Sequence, residues 1–423
     1  MPEGAQPGGR RAAIVAWLIK ARVFILVAAL LLTGVSLYAL RDVHGFVPVE
    51  LSGLLLVPLA AWAVGVFVLL LSFRLTAIAV VAPALGAIWW LAALSRGQGL
   101  FNIGNNFVQQ FLSILVVGLI ASAFQMHLLV SELARGRSRE EATRASLVGV
   151  ALPSLLGMLG AGCGLFAFIP DPRIAAALGT GAVLTLVAAT VLPLPVASFV
   201  EFGENYVARI NRERERREWL ISYCAILSVP RWAFAAAGIV VVLTAIICLD
   251  QSFASLWAAA KQPFALAFAG LGILGALGLR NWRTFFSCAL AGLTAAIWSA
   301  WFLVQTGLPA GEAVELALLV ASAIGGVLVF FFAAPTARYQ REGDPMIIAF
   351  SRALNDAGAA ALILAFGAAL ALLTGVLVGI APGAALLPLI AVIADLTLFP
   401  AIATALDDFF PRRKPLKELY RAR

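Results

Sequence analysis

The sequence is poor in charge. Only 12% of its 423 residues are Asp, Glu, Lys or Arg, about half the share of an ordinary soluble domain. A soluble chain of this length would form two or three domains, and 30 basic and 22 acidic residues cannot cover them. Disorder is excluded as well, because disordered chains are low in hydrophobicity. Histidine is nearly absent: His44 and His127 are the two. No histidine-based metal centre is expected. The four cysteines, Cys163, Cys224, Cys248 and Cys288, show no C-x-x-C spacing and lie in or beside apolar runs. They read as small buried hydrophobes. No nucleophile–base pair, phosphate loop or metal cluster stands out, so neither an enzyme nor a cofactor is expected.

What is abundant is hydrophobicity, at 62% of residues with a mean hydropathy of +0.98. The solvent for most of this chain is lipid, which points to an all-α polytopic membrane protein. The net charge of +8 follows from basic cytoplasmic connections and does not call for nucleic acid.

Runs long enough to cross about 30 Å of hydrocarbon fall at 23–40, 51–71, 74–95, 108–130, 147–169 and 174–198, then at 231–249, 263–279, 284–305, 315–336, 354–377 and 382–405. With the N-terminus inside, 26 of the 30 Lys and Arg lie on cytoplasmic connections, and Arg41, Arg96, Arg173 and Lys261 lie outside. The bias supports twelve spans, both termini in the cytoplasm, and the first span retained as an uncleaved helix. A charged linker, 201–230, reads as a solvated or interfacial helix. It separates a first six-helix unit with its N-terminal segment (1–200) from a second (231–405), and a basic tail follows (406–423).

The two units repeat. Ala134-Arg135-Gly136 matches Arg341-Glu342-Gly343 at an offset of 207, and Leu192-Pro193 matches Phe399-Pro400 at the same offset. Each unit begins and ends inside, so the copies are parallel, as in parallel-repeat transporters.

Leu128 to Phe168 carries the most informative pattern: a span, a short basic connection with Arg-Gly-x-Ser-x-x-Glu-Ala (Arg135 to Ala142), and a new span. The twelfth run contains Asp395-Leu-Thr-Leu-Phe-Pro400. The chain thereby resembles the resistance–nodulation–division (RND) superfamily, in particular its lipid-exporting branch, the mycobacterial membrane-protein-large and hopanoid-associated types. The resemblance implies a twelve-helix bundle in the bacterial inner membrane that moves a lipid or other hydrophobic molecule. Two departures stand beside it. The superfamily places large outer domains between spans one and two and between spans seven and eight. Here those gaps, 41–50 and 250–262, hold 10 and 13 residues. The superfamily also places proton-relaying acids in spans four and ten. The matching stretches here, Gly118 to His127 and Ala321 to Phe330, have no carboxylate. A separate periplasmic partner protein would replace the missing domains.

An ionisable group inside a span is costly and marks a candidate site. Asp395 is the acid that lies well inside one, as a proton or cation site or as a hydrogen-bonded structural residue. Span four offers Ser122, Gln125 and His127. Ser122 and Gln125 share a helix face, whereas Gln125 and His127, two apart, splay by about 200° and cannot line one pocket. His127 is a titrating candidate near neutral pH or a cross-helix hydrogen-bonding residue. Gly270-Leu-Gly-Ile-Leu-Gly275 fits G-x-G-x-x-G, but it lies in an apolar span with no strand before it. Gly272 and Gly275, with Gly160, Gly325 and Gly326, read instead as close-packing positions, which makes spans five, eight and ten the expected centre. Polar Phe101 to Gln110 is an outer loop or head-group patch. Trp62, Trp89, Trp90, Trp257, Trp282 and Trp301 read as interfacial anchors. Two functions compete: transport of a hydrophobic cargo, and a non-transporting lipid-sensing or scaffolding subunit. A major-facilitator carrier is disfavoured, because Leu71-Ser-Phe-Arg74 lacks that family's Gly-x-x-x-Asp-Arg turn.

Overall fold

The computed structural model describes residues 20–41, 56–96, 107–168, 172–197, 205–213, 229–375 and 381–409, with a few single residues between them. His44, Cys224 and most of the 101–110 patch lie outside the described residues. The described chain is helical throughout, because in lipid each segment must satisfy its own backbone groups.

The first unit has α1 (Arg22–Leu40), α2 (Leu56–Leu70), α3 (Phe73–Arg96), α4 (Phe107–Ala134), α5 (Arg139–Phe168) and α6 (Pro172–Val191). The second has α7 (Pro230–Leu249), α8 (Gln251–Gly278), α9 (Arg283–Gln305), α10 (Ala310–Arg341), α11 (Met346–Thr374) and α12 (Leu387–Phe409). Eleven of the described helices are long and apolar enough to cross a membrane; α2 is the shorter twelfth.

The main departure from the sequence reading is α8. Residues 250–262 are not a loop: Leu249 ends α7, Asp250 turns the chain, and α8 starts at Gln251. Ser252, Lys261 and Gln262 dilute the hydropathy of its first turns but do not stop a helix. The Asp250 carboxylate caps it by accepting from the Ser252 backbone N–H at 3.3 Å.

The duplication is written into the hydrogen bonds. α4 and α10 end at 134 and 341, and α5 and α11 start at 139 and 346, all at the offset of 207. Gly136 and Gly343 both hold positive φ, +80° and +107°. Arg137 N–H bonds Glu132 C=O, and Asp344 N–H bonds Tyr339 C=O. The same Schellman closure therefore ends both helices. A second shared device ties down the outermost helices. Trp89 Nε1 of α3 donates to Thr33 Oγ1 of α1 at 2.9 Å, and Trp298 Nε1 of α9 donates to Thr244 Oγ1 of α7 at 2.8 Å. The two prolines at offset 207 behave differently. Pro193 begins a separate short helix after α6, whereas Pro400 sits inside α12.

Each unit lends a helix to the other: α2 packs along α11, and α8 along α5. A Cβ at Gly65 would lie 2.7 Å from Gly367 Cα, so α2 and α11 touch backbone to backbone. The centre is α10, whose apolar window is fully enclosed, with α4 beside it. The glycine pattern pointed to spans five, eight and ten; α5 and α8 instead flank the centre, their outer sides exposed. Trp62, Trp89 and Trp90 are buried between helices, not interfacial. Trp257 and Trp282 remain exposed. Cys288 is buried, but Cys248 faces outward.

Candidate functional site

The meeting of α4 and α10 is apolar. Phe124 stacks on Phe331 with ring centroids 3.8 Å apart. Above it α10 is irregular: Ala321–Gly325 forms a π-helical turn between Ala310–Val320 and Gly326–Arg341. Such turns are rare and recur at functional sites. It sits against α5, α9 and α12.

Asp395 lies on α12 facing this turn. It is 1% exposed. A Cβ at Gly325 would stand 3.3 Å from Ala391 Cβ and 3.9 Å from Asp395 Oδ2. Neither carboxyl oxygen has a hydrogen-bond partner among the described residues. An unpaired carboxylate in such a place is strongly disfavoured, so the group is held neutral or has its charge balanced by a cation. At an offset of 207 the first unit has Ala188, also fully buried, so the acid belongs to one half.

The α4 candidates separate as their spacing requires. Gln125 Nε2 donates to the Thr190 carbonyl of α6 at 2.9 Å, while its Oε1 and the Ser122 hydroxyl are buried without a partner among the described residues. His127 lies on another face, edge-on to Phe124 at 6.2 Å, in a cleft with α2 and α11. The structure therefore does not bring Asp395, Gln125 and His127 into one cluster. The glycines lie at close helix contacts. A Cβ at Gly160 would meet Leu271 of α8 at 2.6 Å, and one at Gly326 would meet the same side chain at 3.3 Å. One at Gly272 would meet the Phe285 carbonyl of α9 at 2.9 Å, and one at Gly275 the Thr284 carbonyl at 3.3 Å.

At the end of the bundle where α4 passes into α5, a charged hub joins the two units. Arg135 reaches Glu132 at 2.5 Å and Asp356 of α11 at 2.7 Å. Arg137 also holds Glu132, at 2.7 Å, and the Tyr339 hydroxyl donates to Asp356. Burial opposes the Arg135 charge, but the Asp356 and Glu132 carboxylates outweigh it and raise the guanidinium above its usual value. The hub was not legible in advance, because Arg135 and Asp356 are 221 residues apart.

No protein-family model matches the chain, and no curated protein matches it. Among solved structures it is similar to SecDF, a translocon-associated membrane protein from Thermus thermophilus, at 13% identity and a TM-score of 0.54, over 84% of this chain and 62% of that one. It is also similar to SecDF in its super-membrane-facing form, at 12% identity and a TM-score of 0.57, over 88% of this chain and 62% of that one. The fold is RND-like. The chain spans less than two thirds of the SecDF chains it matches, and the likeness at this identity is one of fold.

Proposed function

We propose that this chain is an ion-coupled transport protein of the bacterial inner membrane. It moves a lipid or other hydrophobic molecule and works with a separate periplasmic protein in place of outer domains. The observation that carries the coupling is Asp395, a carboxyl group in mid-span, buried without a hydrogen-bond partner among the described residues, against the π-helical turn of the most enclosed helix. A group so placed can take up and release one proton if the turn rearranges and admits water. In this reading both termini lie in the cytoplasm, which the basic bias of the connections supports.

The test is proton flux in liposomes of phosphatidylethanolamine and phosphatidylglycerol carrying the full-length protein and an imposed pH gradient. Wild type should dissipate the gradient, and Asp395→Asn should slow it at least tenfold. Equal flux in the two would remove Asp395 from the mechanism.

The second reading, a non-transporting lipid-sensing or scaffolding subunit, is favoured by the apolar Phe124–Phe331 contact and by the absence of any carboxylate in the central turns of α4 and α10. It expects no flux from wild type under any gradient.

A further inference from the structure

Hydroxyl groups in these helices commonly bond back to their own helix. Thr33, Thr190, Thr244 and Thr336 each donate to the carbonyl four residues earlier at 2.7 Å. Thr76 of α3, Ser122 of α4 and Thr185 of α6 do not. All three are buried, and their hydroxyls have no hydrogen-bond partner among the described residues. Gln125 Oε1 of α4 is in the same state. The three helices that carry these groups pack on one another. They meet at Gly118, where a Cβ would stand 2.5 Å from Thr185 Cγ2 and 3.2 Å from Pro83 Cβ of α3. At about 100° per residue, Gly118, Ser122 and Gln125 fall within about 60° of one another on α4, and Thr76 and Pro83 within about 20° on α3. Gln125 also reaches the Thr190 carbonyl of α6. α3 runs against α6, since a Cβ at Gly181 would meet Trp90 and one at Gly86 would meet Thr185 Cα. Thr76 therefore lies toward the Gln125 end of the seam. Pro83 has no N–H, which deprives the buried Ala79 carbonyl of its helical partner on the same face. At the offset of 207, Gly118 corresponds to Gly325 and Ala188 to Asp395. The seam is thus the first unit's counterpart of the Asp395 site.

We propose that the seam between α3, α4 and α6 binds a small cluster of water molecules inside the bundle. The ligand class follows from the groups. They are neutral, and they mix hydroxyl donors with amide and backbone carbonyl acceptors. Water matches both kinds, and a buried water makes about three hydrogen bonds. A cation would sit in a low dielectric with no carboxylate among these residues to balance it. An apolar guest would leave each of these groups unmatched. The first unit then holds water where the second holds an acid. The proposal does not rest on Asp395 taking up a proton or on transport, so the flux experiment does not decide it.

The test has two arms, both on the full-length protein. In the first, wild type in a maltoside detergent receives X-ray pulses, which split bound water into hydroxyl radicals that oxidise the side chains beside it. Mass spectrometry locates the labels. Pro83 should be oxidised although it is buried. The stacked Phe124 and Phe331, intrinsically more reactive, should stay unlabelled. No oxidation at Pro83 overturns the proposal, and so does equal labelling of all three. In the second arm, Ser122→Ala, Thr185→Val and the double variant are unfolded reversibly in mixed micelles. A hydroxyl that holds water costs stability when it is removed. Each single variant should shift the equilibrium about fivefold toward the unfolded state. The double variant should lose less than the product of the two, because the sites share water. A dry seam predicts the reverse, single variants as stable as wild type or more so, and that result overturns the proposal too. The footprint needs no variant, so misfolding cannot shelter the idea.

Discussion

Asp250 does three jobs at the turn between α7 and α8. It caps α8, and its carboxylate accepts from Trp301 Nε1 at 2.7 Å and Gln305 Nε2 at 2.9 Å on α9. The Trp301 bond first, then the Ser252 backbone N–H, hold its carboxyl below the ordinary value of 3.8. A depressed carboxyl stabilises the fold above its unfolded value and loses that contribution as pH falls through the folded one. Asp250→Asn should therefore melt earlier than wild type above pH 3.8, and the gap should close as the pH drops below it. A gap that stays constant into acid would refute this. The two Trp–Thr bonds offer a second residue-scale check. Thr33→Val and Thr244→Val should each cost about 0.6 kcal/mol and no more than about 1.7 kcal/mol, the range for hydrogen bonds between membrane helices. Reversible unfolding in mixed micelles would measure both, and a cost in only one half would break the equivalence. Asp395 was legible in the sequence because one acid in an apolar run stands out against its background. The buried tryptophans were not, since a Trp near a span end has the same sequence context whether it meets lipid head groups or a neighbouring helix.

Helix ends were read best where a backbone requirement leaves a residue signature. Gly136 and Gly343 were visible as a repeat, and their positive φ explains why glycine stands at both. Alanine at either should cost about 1–2 kcal/mol, the penalty of a left-handed L-residue. Guanidinium or thermal unfolding should show similar losses for Gly136→Ala and Gly343→Ala; a neutral effect at one would argue against equivalent turns. The start of α8 was missed because hydropathy marks where lipid begins, not where a helix begins. The Asp250–Ser252 cap was the available signal. The π-helical turn at Ala321–Gly325 left no comparable mark. Its residues are small and apolar like those of many membrane helices, and the extra residue per turn is a matter of packing against α5, α9 and α12.

The two units are interlocked, not merely adjacent. α2 finds its principal partner, α11, in the opposite half, α8 packs along α5 as well as along α9 of its own half, and the Gly65–Gly367 approach leaves no room for a side chain. Residues 1–204 expressed alone should aggregate, as should 205–423, while co-expression should recover a monodisperse complex by size exclusion. A well-behaved first half on its own would show that the exchange contributes little. The sequence alone determined the membrane class, the approximate number of spans and the internal repeat. Each of these depends on local transfer of a segment into lipid or on a residue copied at a constant offset. Only the tertiary structure decided which helix is central, that Asp395 faces the irregular turn, and that four distant segments line one cleft. The reason is physical: hydrocarbon and a neighbouring helix are equally apolar solvents for a Leu or an Ala. Hydropathy cannot tell a lipid-facing side from a packed one; the shapes of glycines, aromatics and helix irregularities do.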